Sequence, residues 1–213
     1  MKEFEQLFNK LTHKVYYKPY WDMLLKLYVQ GDRHYHNLQH IVNGLDEIKE
    51  AEHLLNSKEL VEFAWWYHDS IYYPGFLEKG IPVVVKDNEE KSAMLACGVA
   101  GEIGMFEEFT NSLYELILLT KHNKEPQDVD GKIIVDADLS ILGQTEKVFN
   151  LYEDAIRREY SFVPEEIFKK ERAKILKTFL DRKNIYYTDH FRNKYESQAR
   201  KNLEFSLFKL GLG

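Results

Sequence analysis

The stretch L-V-E-F-A-W-W-Y-H-D-S-I-Y, Leu60 to Tyr72, constrains the fold more than any other part of the chain. Ser57 stands just ahead of it as an N-cap, and from there the segment is apolar on almost every face of a helix. A helix with no polar side to offer water must be covered all round, so it has to be central. A chain of 213 residues, 44% of them hydrophobic, is long enough to supply that cover as one large domain. With 30% charged residues and only 11 Gly and 5 Pro, disordered, collagen-like and low-complexity classes are excluded.

The remaining segments also read as helices, with Gly, Pro and polar caps falling between them. Phe4, Leu7, Phe8 and Leu11 form the stripe of a first helix, and a second covers roughly 18–29 and stops at Gly31. A long helix runs from about Asn37 to Leu55 with Leu38, Ile41, Leu45 and Ile48 as its core stripe. Residues 73–87 carry two Pro and two Gly and read as an exposed irregular connection. Asp87, with Glu90 three residues on, opens a helix to about Gly101, and another covers about 109–121. Next come the segment G-K-I-I-V-D-A-D-L-S-I-L-G between Gly131 and Gly143 and two amphipathic helices. One carries Val148, Tyr152 and Ile156; the other, opened by Pro164 at its first position, carries Ile167, Ile175 and Phe179. A last helix runs from near Asp189 to Leu210 and is closed by Gly211. The expected fold class is all-α, one helical bundle domain over residues 1–213 with no internal repeat.

Cys97 is the only cysteine, so no intramolecular disulfide can form and a reducing cytoplasm is the expected compartment. Glu3 and Glu5 break any signal-like apolar region, and no uncharged apolar run approaches ~18 residues, so no membrane span is expected. A net charge of −6 and a pI near 5.8 disfavour an extended nucleic-acid surface. The unusual part of the composition is its 13 Phe, 3 Trp and 14 Tyr, many of them beside histidines.

Three histidines fall in R-H-Y-H-N-L-Q-H, Arg33 to His40. At ~100° per residue His36 and His40 share a helix face opposite the Leu38/Ile41/Leu45/Ile48 stripe, which leaves a solvated face and a site as alternatives. His68-Asp69 ends the most apolar helix, where a carboxylate is costly to desolvate unless a cation or several donors neutralise it. Asp136 and Asp138 interrupt another apolar segment, and two buried carboxylates there ask for a metal or an arginine. His40, His68, Asp69 and Asp138 together offer two imidazoles and two carboxylates, mixed ligation that suits Mn²⁺, Fe²⁺, Zn²⁺, Ni²⁺ or Mg²⁺ without choosing among them.

The ordered motifs Y-H-N-L-Q-H, W-Y-H-D and D-A-D-L-S-I-L-G in a helical chain resemble the HD superfamily of metal-dependent phosphohydrolases, in particular its small bacterial branch. N-E-E-K-S-A (Asn88 to Ala93), T-K-H (Thr120 to His122), I-R-R-E-Y (Ile156 to Tyr160) and A-R-K-N-L (Ala199 to Leu203) extend the likeness over most of the chain. More distantly, Y-H-N-x-x-H is similar to the cyclic-nucleotide phosphodiesterases. That resemblance implies His36 as proton donor, and His40, His68, Asp69 and Asp138 as ligands of a tighter ion. Asp69 would bridge to a second, weaker site, with Co²⁺ added to the candidate metals. Other HD members read R-x-x-H-S, which would make His36 the ligand instead. The family likeness also offers His122 as a further ligand, while Glu89 or Glu90 could orient ligands unless Glu90 simply caps its helix. Arg33, Lys121 and Arg157 are the cations placed to hold substrate phosphates, with Glu153, Asp154 or Glu159 as rival ion-pair partners for Arg157. Tyr35, Trp65, Trp66, Tyr67, Tyr72 and Tyr73 would wall the site, and stacking on Tyr72 or Tyr73 would imply a nucleotide.

The implied activity is hydrolysis of a small phosphate ester or anhydride, a nucleotide foremost, with no membrane or extended nucleic-acid partner and a homodimer allowed. Two other classes compete: a di-iron oxygenase of the same fold, which would need more histidine ligands, and a non-catalytic nucleotide or metal sensor.

Overall fold

The structure is a computed structural model that describes residues 1–12 and 15–211. The fold class is all-α as expected: the described residues form ten α-helices, two short 3-10 turns and a two-stranded ribbon. They group into two compact units, each built from two separate stretches of chain. The first holds residues 1–73 and 86–135, the second 74–85 and 136–213.

In the first unit α1 (Lys2–Leu11), α2 (Lys18–Tyr28), α3 (Leu38–Glu50), α5 (Asn88–Glu102) and α6 (Glu107–Leu119) accompany α4 (Lys58–Tyr67). Val61, Phe63, Ala64, Trp65, Trp66 and Tyr67 of α4 are each at most 2% exposed, so the all-apolar helix is central, as its composition demands. Edge-to-face contacts from Phe4 and Trp21 reach Trp66 with centroids 5.3 and 5.8 Å away, and Phe109 meets Phe63 edge-on at 6.1 Å. Gly44 lets α3 come close on the other side, because a Cβ there would lie 1.8 Å from Trp65 Cζ2. The Trp65 indole N–H donates to Ile41 O across that approach at 2.8 Å. Ser57 does occupy the N-cap of α4, but its side chain makes no cap bond. The Asp130 carboxylate caps the helix instead, accepting from the N–H groups of Asn56 and Ser57 at 2.7 and 2.9 Å.

Several boundaries differ from the periodicity reading. The long helix ends at Glu50 and gives way to a 3-10 turn over Glu52–Leu54, rather than running on to Leu55. Residues 73–87 are not irregular: β1 (Gly75–Glu78) and β2 (Ile81–Val84) pair antiparallel, Phe76 opposite Val83 and Leu77 opposite Pro82. Lys79 and Gly80 both have positive φ, 51° and 81°, the two-residue turn whose twist matches the strands. The prolines beside and inside this segment concealed the hairpin, yet Pro82 is tolerated because the ribbon has only two strands and open edges.

The second unit contains that hairpin, a 3-10 turn (Leu139–Gly143), α8 (Glu146–Glu159), α9 (Glu165–Leu180) and α10 (Asp189–Lys209). The unit boundary falls within α7 (Val129–Asp138). Gly211, at φ 76°, follows the end of α10 as expected. The stripes on α8 and α9 need correction, since Val148, Ile167 and Ile175 are 40–48% exposed. Phe149, Ala155, Ile156 and Glu159 are the buried side of α8, and Arg172, Ala173, Leu176 and Phe179 that of α9. The buried side of α9 includes a charge, Arg172, which an apolar-only search cannot register. Pro164 is the N-cap of α9 rather than its first residue. No helix among the described residues is long and apolar enough to cross a membrane.

Candidate metal centre

The site begins where α4 ends. His68 follows Tyr67 with helical dihedrals, φ −56° and ψ −37°, and Ser70 N–H then closes back on Tyr67 O at 2.9 Å, which turns the chain out of the helix. The expected continuation to Tyr72 therefore stops five residues early. His68 is 1% exposed, and its ring stacks on Trp65 at 4.3 Å with an interplanar angle of 24°. Its Nδ1 lies 2.8 Å from Trp65 O; a carbonyl only accepts, so Nδ1 carries the hydrogen and, in the neutral ring, Nε2 is left with a lone pair. The spacing of three between Trp65 and His68 was the available sequence signal for the ring stack.

His40 lies in the first turn of α3, 5% exposed, its ring 5.2 Å from that of Trp65 and 4.9 Å from that of Tyr35. The face opposite the Ile41/Leu45/Ile48 stripe is therefore not solvated at this position. His40 Nε2 lies 3.1 Å from His68 Nε2, and Asp69 Oδ2 lies 3.1 Å from His68 Nε2 and 3.5 Å from His40 Nε2. These three buried residues form a group able to hold a metal ion.

The geometry is that of a coordination face. With bond lengths of about 2.0–2.2 Å, two ligands on one ion stand about 3 Å apart at a right angle and about 3.4 Å apart at a tetrahedral angle. The observed separations fit this range. Asp69 Oδ2 is buried and has no aligned hydrogen-bond donor, although two ring nitrogens are close to it. A buried carboxylate oxygen in that condition needs a cation. Burial pushes the Asp69 carboxyl up, but charge on His68, His36 and His40 outweighs it and holds the group below the usual carboxylate range. The same negative charge would serve a metal ion in place of protons.

The other candidate residues fall into distinct settings. His36 precedes α3, whose N-cap is Asn37, so the helical-phase argument does not extend to it. Its ring is 6.1 Å from that of His40 and stacks on Tyr72 at 4.1 Å. Arg33, 7% exposed, donates to main-chain carbonyls: Nη1 to His36 O and Asp69 O at 3.1 and 2.6 Å, Nη2 to Ser70 O at 2.9 Å. Its guanidinium thus ties the His36 loop to the Asp69 turn. Lys121 donates to both Glu90 oxygens at 2.6 Å and to Lys86 O at 2.9 Å, with Glu89 Oε2 3.8 Å away. Glu90 is thereby an ion-pair partner rather than a capping residue, and Asp87 makes no side-chain cap bond. Burial, reinforced by the charge of Asp69, pushes the half-buried Glu89 carboxyl up. His122 follows α6 with φ 56°.

Of the aromatic wall, Tyr35, Trp65 and Tyr72 touch site histidines. Trp66 faces Phe4 and Trp21, and Tyr67 stacks on Phe63 at 4.8 Å. Tyr73 is 50% exposed.

Three named residues belong to the second unit. Arg157 donates to Tyr160 O and Val163 O at 2.7 and 3.0 Å beyond the end of α8, and lies over the Phe168 ring, bonds that neither a phosphate nor the anticipated acidic partners supply. Asp136 needs neither a metal nor an arginine, because it accepts from Tyr187 N–H, Thr188 N–H and the Thr188 hydroxyl at 2.7–2.8 Å. Asp138 is the last residue of α7. No protein family, curated protein or solved structure matches the chain.

Proposed function

We propose that this chain is a divalent-metal-dependent phosphohydrolase acting on a small phosphorylated molecule, a nucleotide foremost. The observation that carries the proposal is the convergence of His40 Nε2, His68 Nε2 and Asp69 Oδ2 within 3.1–3.5 Å of one another in a buried pocket of charge. The ordered HD-type motifs supply the reaction class. His40, His68 and Asp69 would hold the ion, and the resemblance adds Asp138, an assignment that metal affinity in Asp138→Ala tests. A divalent ion there supplies Lewis acidity toward a phosphoryl oxygen and offsets the negative charge of the substrate.

The chain's own residues do the rest. Trp65 O fixes the His68 tautomer so that Nε2 faces the cluster. Arg33 keeps the loop bearing His36 and the turn bearing Asp69 in one register. His36 is the proton donor to the departing oxygen, a role typically worth ~10²–10⁴ in rate. Arg33 and Lys121 are both engaged with protein oxygens, so the positive charge that meets the phosphate would come from the ion held by His40, His68 and Asp69.

The test is a screen of nucleotides, cyclic dinucleotides, polyphosphates and sugar phosphates with Mn²⁺, Mg²⁺, Co²⁺ and Ni²⁺. The expected result is metal-dependent release of phosphate or a phosphomonoester, abolished by chelation and by Asp69→Ala with helical circular dichroism retained. Two bound irons with dioxygen consumption and no hydrolysis would overturn the reading in favour of an oxygenase. Tight nucleotide binding without turnover would favour a sensor.

A further inference from the structure

We propose that Tyr72 is a positioning residue for His36, a rigid platform that aims the imidazole at the departing oxygen; this rests on the phosphohydrolase reading above. The His36 and Tyr72 rings stack with centroids 4.1 Å apart and planes 23° from parallel. A stack this close removes the freedom of the imidazole to rotate about its χ angles. On the ring of Tyr72 also rests the Arg33 guanidinium, 5.6 Å from the centroid, and the same guanidinium holds the His36 carbonyl at 3.1 Å. Backbone and side chain of His36 are therefore gripped by two neighbouring groups.

The platform is itself anchored on both sides. Ile71 N–H donates to Ser92 Oγ at 3.0 Å, and that hydroxyl donates to Ile71 O at 3.1 Å. Tyr73 N–H donates to Asn88 Oδ1 at 3.2 Å, and Asn88 Nδ2 donates to Tyr73 O at 3.1 Å. Ser92 and Asn88 are buried residues of α5, 0% and 9% exposed, so Tyr72 sits between two main-chain units clamped to a helix. Tyr72 lies three positions after Asp69, whose carbonyl Arg33 also holds at 2.6 Å. The orientation of the proton donor and the position of the metal-ligating turn are thus set by one connected piece of structure. In the reaction a water oxygen forms the new P–O bond as the P–O bond to the leaving group breaks; the water gives up a proton to solvent, the departing oxygen takes its proton from His36 as the alcohol forms, and solvent returns a proton to the ring.

The experiment compares wild type, Tyr72→Phe and Tyr72→Leu with Mn²⁺ on an activated aryl phosphate ester, whose leaving group needs no proton, and a matched alkyl ester, which does. The Phe variant keeps a stacking ring and behaves as wild type. The Leu variant is expected to lose at least ~10-fold in kcat on the alkyl ester, a part of the ~10²–10⁴ that general-acid catalysis typically contributes, and little on the aryl ester, with Mn²⁺ affinity unchanged. A second readout needs no activity: ring-current shielding of the His36 ring protons in the NMR spectrum of the metal-free protein, lost in the Leu variant and retained in the Phe variant. Equal losses on both esters, a fall in Mn²⁺ affinity, or His36 resonances that do not move would overturn the positioning role. Wild-type protein that binds Mn²⁺ and hydrolyses neither ester would contradict the phosphohydrolase reading, and the positioning role with it.

Discussion

Replacing Gly44 by alanine sets two effects of opposite sign against each other. In an ordinary helix interior the change gains about 1 kcal/mol, because glycine is the poorer helix former. Here the new Cβ would stand 1.8 Å from Trp65 Cζ2, 2.4 Å from Cε2 and 2.7 Å from Cη2. Carbon atoms in comfortable contact are about 3.5–4.0 Å apart, so the indole or the α3 backbone has to move by about 2 Å. Trp65 is 0% exposed, so moving it displaces packed neighbours. Overpacking a well-filled core costs about 1–3 kcal/mol, and losing the indole N–H bond to Ile41 O adds about 1–3 kcal/mol if the donor is left buried. The clash wins, with a net loss of about 1–5 kcal/mol. For a chain of this length each kcal/mol lowers Tm by about 2–4 °C. Because Trp65 stacks on His68, the site should suffer with the core: Mn²⁺ affinity falls along with stability. Urea unfolding followed by tryptophan fluorescence measures the first effect and calorimetric titration the second. A Gly44→Ala protein as stable as wild type or more so would refute the close approach of α3 to α4.

Two further perturbations bear on the second unit. Burial pushes the Asp136 carboxyl up to about 6 against the restraining hydrogen bonds of Tyr187 and Thr188. Since the folded value exceeds the unfolded one, protonation favours the fold. That contribution, at most ~3 kcal/mol, is full below about pH 4 and lost as pH rises through about 6. The difference in urea midpoint between wild type and Asp136→Asn should change across pH 4–7 at the expense of wild type, and parallel curves would contradict this. Arg172 is a buried cation bonded to Glu153 and to the Tyr152 hydroxyl, with the Ser206 hydroxyl donating to Glu153 as well. Arg172→Met leaves the Glu153 charge unpaired and should cost about 3–5 kcal/mol in a denaturation curve. The double variant Arg172→Met/Glu153→Leu should be more stable than the single one, and an equally unstable double variant would show that the packing, not the stranded charge, is responsible.

What could be read from the sequence was what periodicity and composition encode locally. The apolar circumference of 60–72 led to a central helix, which ends at Tyr67 instead, and the His68-Asp69 pair led to the cluster. His40 was identified by type and motif, while its helical phase left a solvated face and a site as alternatives. α3 is buried on two faces, and a single apolar stripe describes only one of them. The Arg33 clamp was not legible, because its partners are main-chain carbonyls at positions 36, 69 and 70 that have no signature in the side-chain sequence. The bonds of Arg157 to Tyr160 O and Val163 O were not legible for the same reason. The 75–84 hairpin was hidden by its prolines and by a Lys-Gly turn, whose positive φ at Lys79 a propensity argument does not anticipate. Glu90 satisfied the spacing of a capping box, yet a lysine 31 residues away outcompetes the backbone for its carboxylate.

The central claim is that His40, His68 and Asp69 together bind a divalent ion. The most direct measurement is Mn²⁺ binding to the purified protein, by equilibrium titration and by electron spin echo detection of nitrogens coupled to the ion. The structure predicts a saturable site with two coupled imidazole nitrogens in the wild type. It also predicts that His40→Ala and His68→Ala each remove one of these couplings and that Asp69→Ala loses tight binding, all three remaining helical. Binding of unchanged affinity in His68→Ala and Asp69→Ala, or a folded wild-type protein that takes up no divalent ion, would contradict it.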